Sequence, residues 1–128
     1  MTINSTYSIS ELAKHFDVTP RTIRFYEDQA LLKPARKNGK RIYNEGDFVR
    51  LKLILRGKRI GFSLAELQQT ISLYDTQPDE KVQLQFVLDT IKNHRQELIE
   101  RKNDIETTLA DMDDVRTRVQ AQLSLLTE

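Results

Sequence analysis

Two arginines one helical turn apart, Arg21 and Arg24, are followed within twenty residues by four cations around an Asn-Gly pair: Arg36, Lys37, Lys40 and Arg41. These are the residues whose types and spacing could do chemistry. A guanidinium stays charged at any ordinary pH, so it is a poor acid–base catalyst and a good phosphate ligand. Its planar fork can also hold a guanine edge through two hydrogen bonds. The chemistry indicated is recognition of double-stranded nucleic acid. Catalysis is not indicated. There is no phosphate-cradling glycine loop and no nucleophile–base arrangement, and the carboxylates of the second half fall on faces of a long helical pattern where they are usually solvated. The chain has no cysteine, which excludes disulfides, thiolate zinc sites, iron–sulfur clusters and a thiol nucleophile. His15 and His94 are its only imidazoles, too few for an ordinary catalytic zinc site. No metal or cofactor is called for. A small organic effector of unknown identity is the one ligand class left open.

The elements that must position these groups can be read from caps and periodicity. Ser8 followed by Glu11 is a capping box, and Ile9, Leu12, Ala13 and Phe16 recur at helical spacing, so a first helix is expected over Ile9–Phe16. Asp17 and Val18 break it. Thr19 can cap a second helix, with Pro20 at its first position, where no N–H partner is needed. Two helices across so short a turn form a helix-turn-helix, whose second helix enters the major groove. That helix shows Arg21, Arg24 and Phe25 on one face, with Ile23 and Ala30 expected on the opposite one. Pro34 ends the pattern. Asn38-Gly39 is a strong hairpin-turn signal because both residues tolerate positive φ, so the basic residues around it form a small wing.

Asn44 and Asp47 can cap a third helix ending near Ile60-Gly61. It is apolar at Phe48, Leu51, Ile54 and Leu55, and basic at Arg50, Lys52, Arg56, Lys58 and Arg59. Gly57 within it costs about 1 kcal/mol relative to alanine, and nothing in the sequence accounts for it. Ser63 and Glu66 make another capping box for a fourth helix bearing Leu64, Leu67, Ile71 and Tyr74. After a break at 75–78 the pattern becomes one long helix. Leu84, Ile91, Leu98, Ile105, Met112, Val119 and Leu126 fall seven apart. Leu88, Arg95, Lys102, Leu109, Arg116 and Leu123 form a mixed companion row. One apolar seam of this kind fits a two-stranded coiled coil, and a lone polar helix would be marginal in water. The expected dimer interface is Leu84, Leu88, Ile91, Leu98, Ile105, Leu109 and Met112. Arg95 and Lys102 are expected to pair with Glu97, Glu100 or Asp104. Asp113-Asp114 suggests a break before a short separate C-terminal helix.

At 128 residues the chain is about one domain by length, divided here into a DNA-binding part, 1–75, and a dimerisation part, 76–128. The net charge of +1 hides an asymmetry: residues 1–61 hold 13 Lys and Arg against 6 Asp and Glu, and residues 62–128 hold 7 against 13. The basic half should be drawn to phosphates and the acidic half kept off them. No run of 18 apolar residues exists, so no membrane span is expected, and MTINSTYSIS lacks the features of a signal peptide. A cytoplasmic protein is the expectation.

SISELAKHFDVTPRTIRFYEDQALL, RIY at 41–43 and RLKLILRGKRIGFSLAEL together resemble the MerR family of bacterial transcription regulators, from about Ser8 to Glu66. Beyond that the similarity is one of architecture. The resemblance implies a mostly α fold: a winged helix-turn-helix head followed by a long C-terminal helix that dimerises as an antiparallel coiled coil. It implies Thr19, Arg21, Arg24 and Tyr26 as recognition-helix contacts, on a surface shared by Thr22 and Phe25. Arg41 and Tyr43 would sit beside phosphates in a wing whose other cations are Arg36, Lys37 and Lys40. Lys58 or Arg59 would lie near a second wing. From the residues alone, Tyr26 could instead pack under its helix, and Tyr43 could anchor the hairpin to the core.

Two positions depart from the family pattern. Phe25 replaces the first tyrosine of the usual pair, so its hydroxyl contact is lost while stacking or a thymine-methyl contact survives. Ala30 replaces the glycine that usually closes the recognition helix, so it must accept a left-handed backbone or the helix must end differently. The lack of cysteine sets aside the thiol-based metal and redox sensors of the family. LKLILRGKRIGFSLAE looks most like the branch tied to branched-chain amino-acid and acyl-CoA breakdown. The reading is a sequence-specific regulator that binds near-palindromic promoter sites as a homodimer and distorts the spacer for RNA polymerase. An architectural or excisionase-like DNA-bending factor without effector is the alternative.

Overall fold

Each helix begins where a side chain satisfies the otherwise free backbone N–H groups. In the computed structural model, which describes residues 5–127, Ser8 Oγ accepts from the Glu11 N–H at 3.1 Å and Glu11 Oε1 accepts from the Ser8 N–H at 2.8 Å. The same reciprocal box opens helices at Asn44/Asp47 and Ser63/Glu66. The elements in order are α1 (Ile9–Phe16), α2 (Pro20–Asp28), β1 (Ala35–Lys37), β2 (Lys40–Ile42), α3 (Glu45–Arg59), α4 (Leu64–Thr76) and α5 (Glu80–Leu126).

Three of these helices end alike, with one residue in the left-handed region and paired backbone bonds that close the last turn. At α1 the residue is Asp17 (φ 55°), at α2 Ala30 (φ 60°) and at α3 Gly61 (φ 96°). At α2 the Ala30 N–H donates to Glu27 O and the Leu31 N–H to Tyr26 O, both at 2.9 Å. Ala30 therefore lies beyond the helix end and is exposed, rather than on the buried face of α2 as its spacing suggested. It takes the left-handed backbone itself, at the steric cost a Cβ incurs there.

The core of the head is one cluster that includes Leu12, Ile23, Tyr26, Leu32, Tyr43, Leu51 and Ile54. Around it Phe48 of α3 meets Phe16 and His15 of α1 at 4.9 Å and Tyr7 at 5.2 Å between ring centroids. Gly57 now has an account. A Cβ there would lie 2.7 Å from Leu67 Cδ2 and 3.4 Å from the Phe62 ring, so its absence lets α4 pack close against α3. Arg50 also ties these helices, bonding Asp47 on its own helix and, through Nε at 2.8 Å, Asp75 at the end of α4.

Residues up to Thr90 form one compact unit, and those from Ile91 onward a second. The helix α5 is continuous from Glu80 to Leu126, about 70 Å at the standard rise, with no break at Asp113-Asp114. These acids favour helix continuation because each finds a cation one turn on: Asp113 pairs with Arg116 at 3.1 Å and Asp114 with Arg118 at 2.8 Å. Lys102 reaches Glu106 at 4.0 Å, an acid outside the set expected for it. The apolar row of α5 is uncovered in the single chain: Leu84, Leu88, Ile91, Leu98, Ile105, Leu109 and Met112 are all 37–60% exposed. No helix among the described residues is long and apolar enough to cross a membrane.

Candidate nucleic-acid interface

Thr19 sets the start of α2, its hydroxyl accepting from the Thr22 N–H at 3.1 Å and lying 3.0 Å from the Thr22 hydroxyl. Both threonines thus spend polar groups on the cap and stay close to the surface. One turn on, Ile23 and Tyr26 turn into the core, which leaves Arg21, Arg24 and Phe25 facing outward. Phe25 is 47% exposed, a large apolar ring beside two cations. Neither arginine has an ion-pair partner among the described residues. A face of two free guanidiniums and an exposed ring suits phosphates, base edges and a thymine methyl.

The wing stands beside this face. Asn38 (φ 53°) and Gly39 (φ 78°) are both left-handed, as a two-residue hairpin turn requires. The register pairs Arg36 with Arg41 and Lys37 with Lys40. Directly opposed like charges destabilise a hairpin, so this short ribbon is built at a cost that an anion along its edge would relieve. An isolated bridge between Tyr7 and Tyr43, with bonds of 2.8 and 2.9 Å, attaches the hairpin to the segment before α1. The Tyr7 hydroxyl donates to Glu45, and that bond, with burial, raises its pKa.

Glu27, on α2, joins wing to recognition helix. Arg41 Nε donates to Glu27 Oε1 at 3.0 Å, and the Tyr43 hydroxyl donates to Glu27 Oε2 at 2.7 Å. The structure therefore places Arg41 and Tyr43 differently from the other wing residues. Arg41 is half-buried in an ion pair, and the Glu27 hydrogen bond holds its pKa up. Tyr43 is fully buried; burial first, and the Glu27 bond second, push its phenol well above the usual tyrosine range. Tyr43 anchors the hairpin rather than offering a surface to phosphates. Tyr26 is likewise 1% exposed, packed under α2, and its hydroxyl has no partner among the described residues. The aromatic spacing that sequence offers for both tyrosines fits either role; burial decides between them. Glu27 was missed because its partners stand 14 and 16 residues away.

Arg36, Lys37 and Lys40 remain exposed along the hairpin. Lys58, near the end of α3, holds its Nζ 5.9 Å from the Tyr26 ring centroid, beside the recognition helix. Arg59 is exposed next to it, over the turn between α1 and α2. The exposed candidates are thus Thr19, Arg21, Arg24, Phe25, Arg36, Lys37, Lys40, Lys58 and Arg59, with Thr22 and Arg41 half-buried and Tyr26 and Tyr43 buried.

Residues 7–73 match the model of the MerR HTH family of regulatory proteins, and residues 48–124 match the MerR DNA-binding model. This chain belongs to the MerR family of transcription regulators. The two matched models are those of an HTH regulatory protein and of MerR DNA binding. The HTH-type transcriptional regulator ZntR of Escherichia coli is 42% identical over 69 residues, 52% of this chain and 49% of ZntR, so the chain spans about half the length of that relative. An uncharacterized HTH-type regulator of Pseudomonas aeruginosa, PA4778, is 32% identical over 82% of this chain and 81% of its own. The crystal structure of PbrR691 from Ralstonia metallidurans, in complex with lead(II), aligns with a TM-score of 0.66 and 30% identity over 82% of this chain and 83% of that one. The winged helix-turn-helix and long C-terminal helix are therefore MerR features.

The sequence has no cysteine, and among the described residues no group of three His, Asp or Glu is placed to hold a metal ion.

Proposed function

We propose that this MerR protein is a homodimer that binds near-palindromic promoter sites, with residues 1–75 reading DNA and residues 76–128 joining two chains. The observation that carries the reading is the pairing of one exposed arginine face per chain with an uncovered apolar row on α5. One short recognition helix reads few bases, and two held at fixed separation read two half-sites. Burying an exposed leucine or isoleucine row supplies the stabilisation that a long polar helix lacks alone. Arg24 and Arg21 divide base reading and phosphate clamping between them, with Arg36, Lys37, Lys40, Lys58 and Arg59 as flanking phosphate ligands.

In such an arrangement the output comes from deformation. The dimer sits on the spacer between two promoter elements, bends and undertwists it, and lets RNA polymerase engage both. A regulator of this kind works in the cytoplasm, where the promoters are. An effector, where one exists, must bind one head-to-head geometry better than the other. The assignment to the branch tied to branched-chain amino-acid and acyl-CoA breakdown rests on the stretch 51–66 alone.

The test is Ile105→Glu. A glutamate in the centre of the seam should leave a monomer by light scattering and abolish binding to a palindromic site. A variant that stays dimeric would place the interface elsewhere than the seam, and a monomer that still bound with full affinity would overturn the two-headed reading.

A further inference from the structure

A basic surface on α3 runs from Arg59 to two cations not assigned so far, Lys52 and Arg56. Lys52, Arg56 and Arg59 occupy positions i, i+4 and i+7 of α3, so they form one ridge about 10 Å long. All three are exposed, and none has an ion pair among the described residues, unlike Arg41 and Arg50. The ridge borders a cleft whose apolar floor is Phe16, Val18 and Leu55, with Asp17 its only acid. The cleft adjoins the recognition helix at two points. Val18 immediately precedes the Thr19 cap, and Lys58, next to Arg59, lies over Tyr26.

We propose that this ridge is a phosphate rail in which Lys52 and Arg56 extend the DNA footprint beyond the recognition helix and the wing. The inference rests on the DNA-binding reading above and adds contacts to it. Phosphates of one strand advance about 3.4 Å apiece along the duplex, so a ridge of this length spans about three of them. The three cations stand about 6 and 4.5 Å apart along the helix, so each long, unpaired side chain can reach a separate phosphate, and such contacts carry no base information. The wing stands on the Glu27 side of α2 and the ridge on the side of the α1–α2 turn. Together they clamp backbone on both flanks of the groove, as a protein that bends DNA needs.

The test uses the full chain and the double variant Lys52→Gln/Arg56→Gln. Binding to a fluorescein-labelled duplex of mixed sequence is measured across a series of salt concentrations. Removing two phosphate contacts should make the slope of log K against log salt shallower by about 1.8 per head and weaken binding at low salt. Lys52→Arg/Arg56→Lys should restore the slope, which separates charge from misfolding. Normal wild-type behaviour with an unchanged slope in the double variant overturns the rail alone. The same unchanged slope with lost promoter output would assign the ridge to an acidic protein surface instead. A wild-type protein with no salt-dependent binding would overturn the regulator reading itself.

Discussion

Replacing Glu27 by alanine should loosen the wing from the recognition helix, and the cost can be worked out from its two partners. The Tyr43 hydroxyl is fully buried and donates to Glu27 Oε2 at 2.7 Å. A bond from a buried hydroxyl to a charged acceptor contributes about 1.5–3 kcal/mol, most of which is lost when the acceptor goes and the hydroxyl is stranded. Arg41 is a quarter exposed and screened by solvent, so its ion pair adds little beside the Tyr43 bond. Glu27→Ala should therefore destabilise the protein by about 2–3 kcal/mol in urea unfolding at fixed protein concentration. Tyr43→Phe removes the stranded donor, so the double variant should be less destabilised than the two single variants added together. The cycle should return a coupling of about 1.5 kcal/mol. Additivity within about 0.5 kcal/mol would show that the Glu27–Tyr43 bond does not anchor the wing.

Ala30→Gly should stabilise the protein by about 0.5–1 kcal/mol: relief of a left-handed Cβ gives 1–2, and the freer unfolded chain takes part of it back. A lower thermal midpoint for that variant would count against the strained cap. Arg24→Ala should weaken binding to the cognate site far more than binding to random DNA, with about 1–3 kcal/mol at stake if the arginine forks a guanine; an equal loss on both would show a phosphate role. The raised phenol of Tyr43 also sets a pH dependence. The unfolded tyrosine ionises near pH 10 while the folded one keeps its proton, so this contribution is intact below about pH 10 and is lost as pH rises above it. Tyr43→Phe should flatten that alkaline decline by about one proton, and an unchanged slope would place the titration elsewhere.

What could be read from sequence was local. The capping pairs Ser8/Glu11, Asn44/Asp47 and Ser63/Glu66, and the Asn38-Gly39 turn, each act within three or four residues, and the structure has all of them. The outward face of α2 followed from the same periodicity. What escaped depends on distant partners. Gly57 makes sense only once Leu67 and Phe62 stand against it. Nothing within a turn of Glu27 signals its role, because its partners Arg41 and Tyr43 lie 14 and 16 residues on. Aspartate is a weak helix former in isolation, and at Asp113-Asp114 the arginines one turn later offset that preference. The roles of Tyr26 and Tyr43 turned on burial, which an alternating pattern of aromatics and charges does not specify.

The central claim is that two recognition helices, joined through α5, act at promoters. Sequencing the genomic fragments captured by the purified protein tests it most directly. The account predicts a small number of sites, each near-palindromic and centred between promoter elements with a long spacer. Hundreds of scattered sites with no common sequence, or none at all, would contradict it.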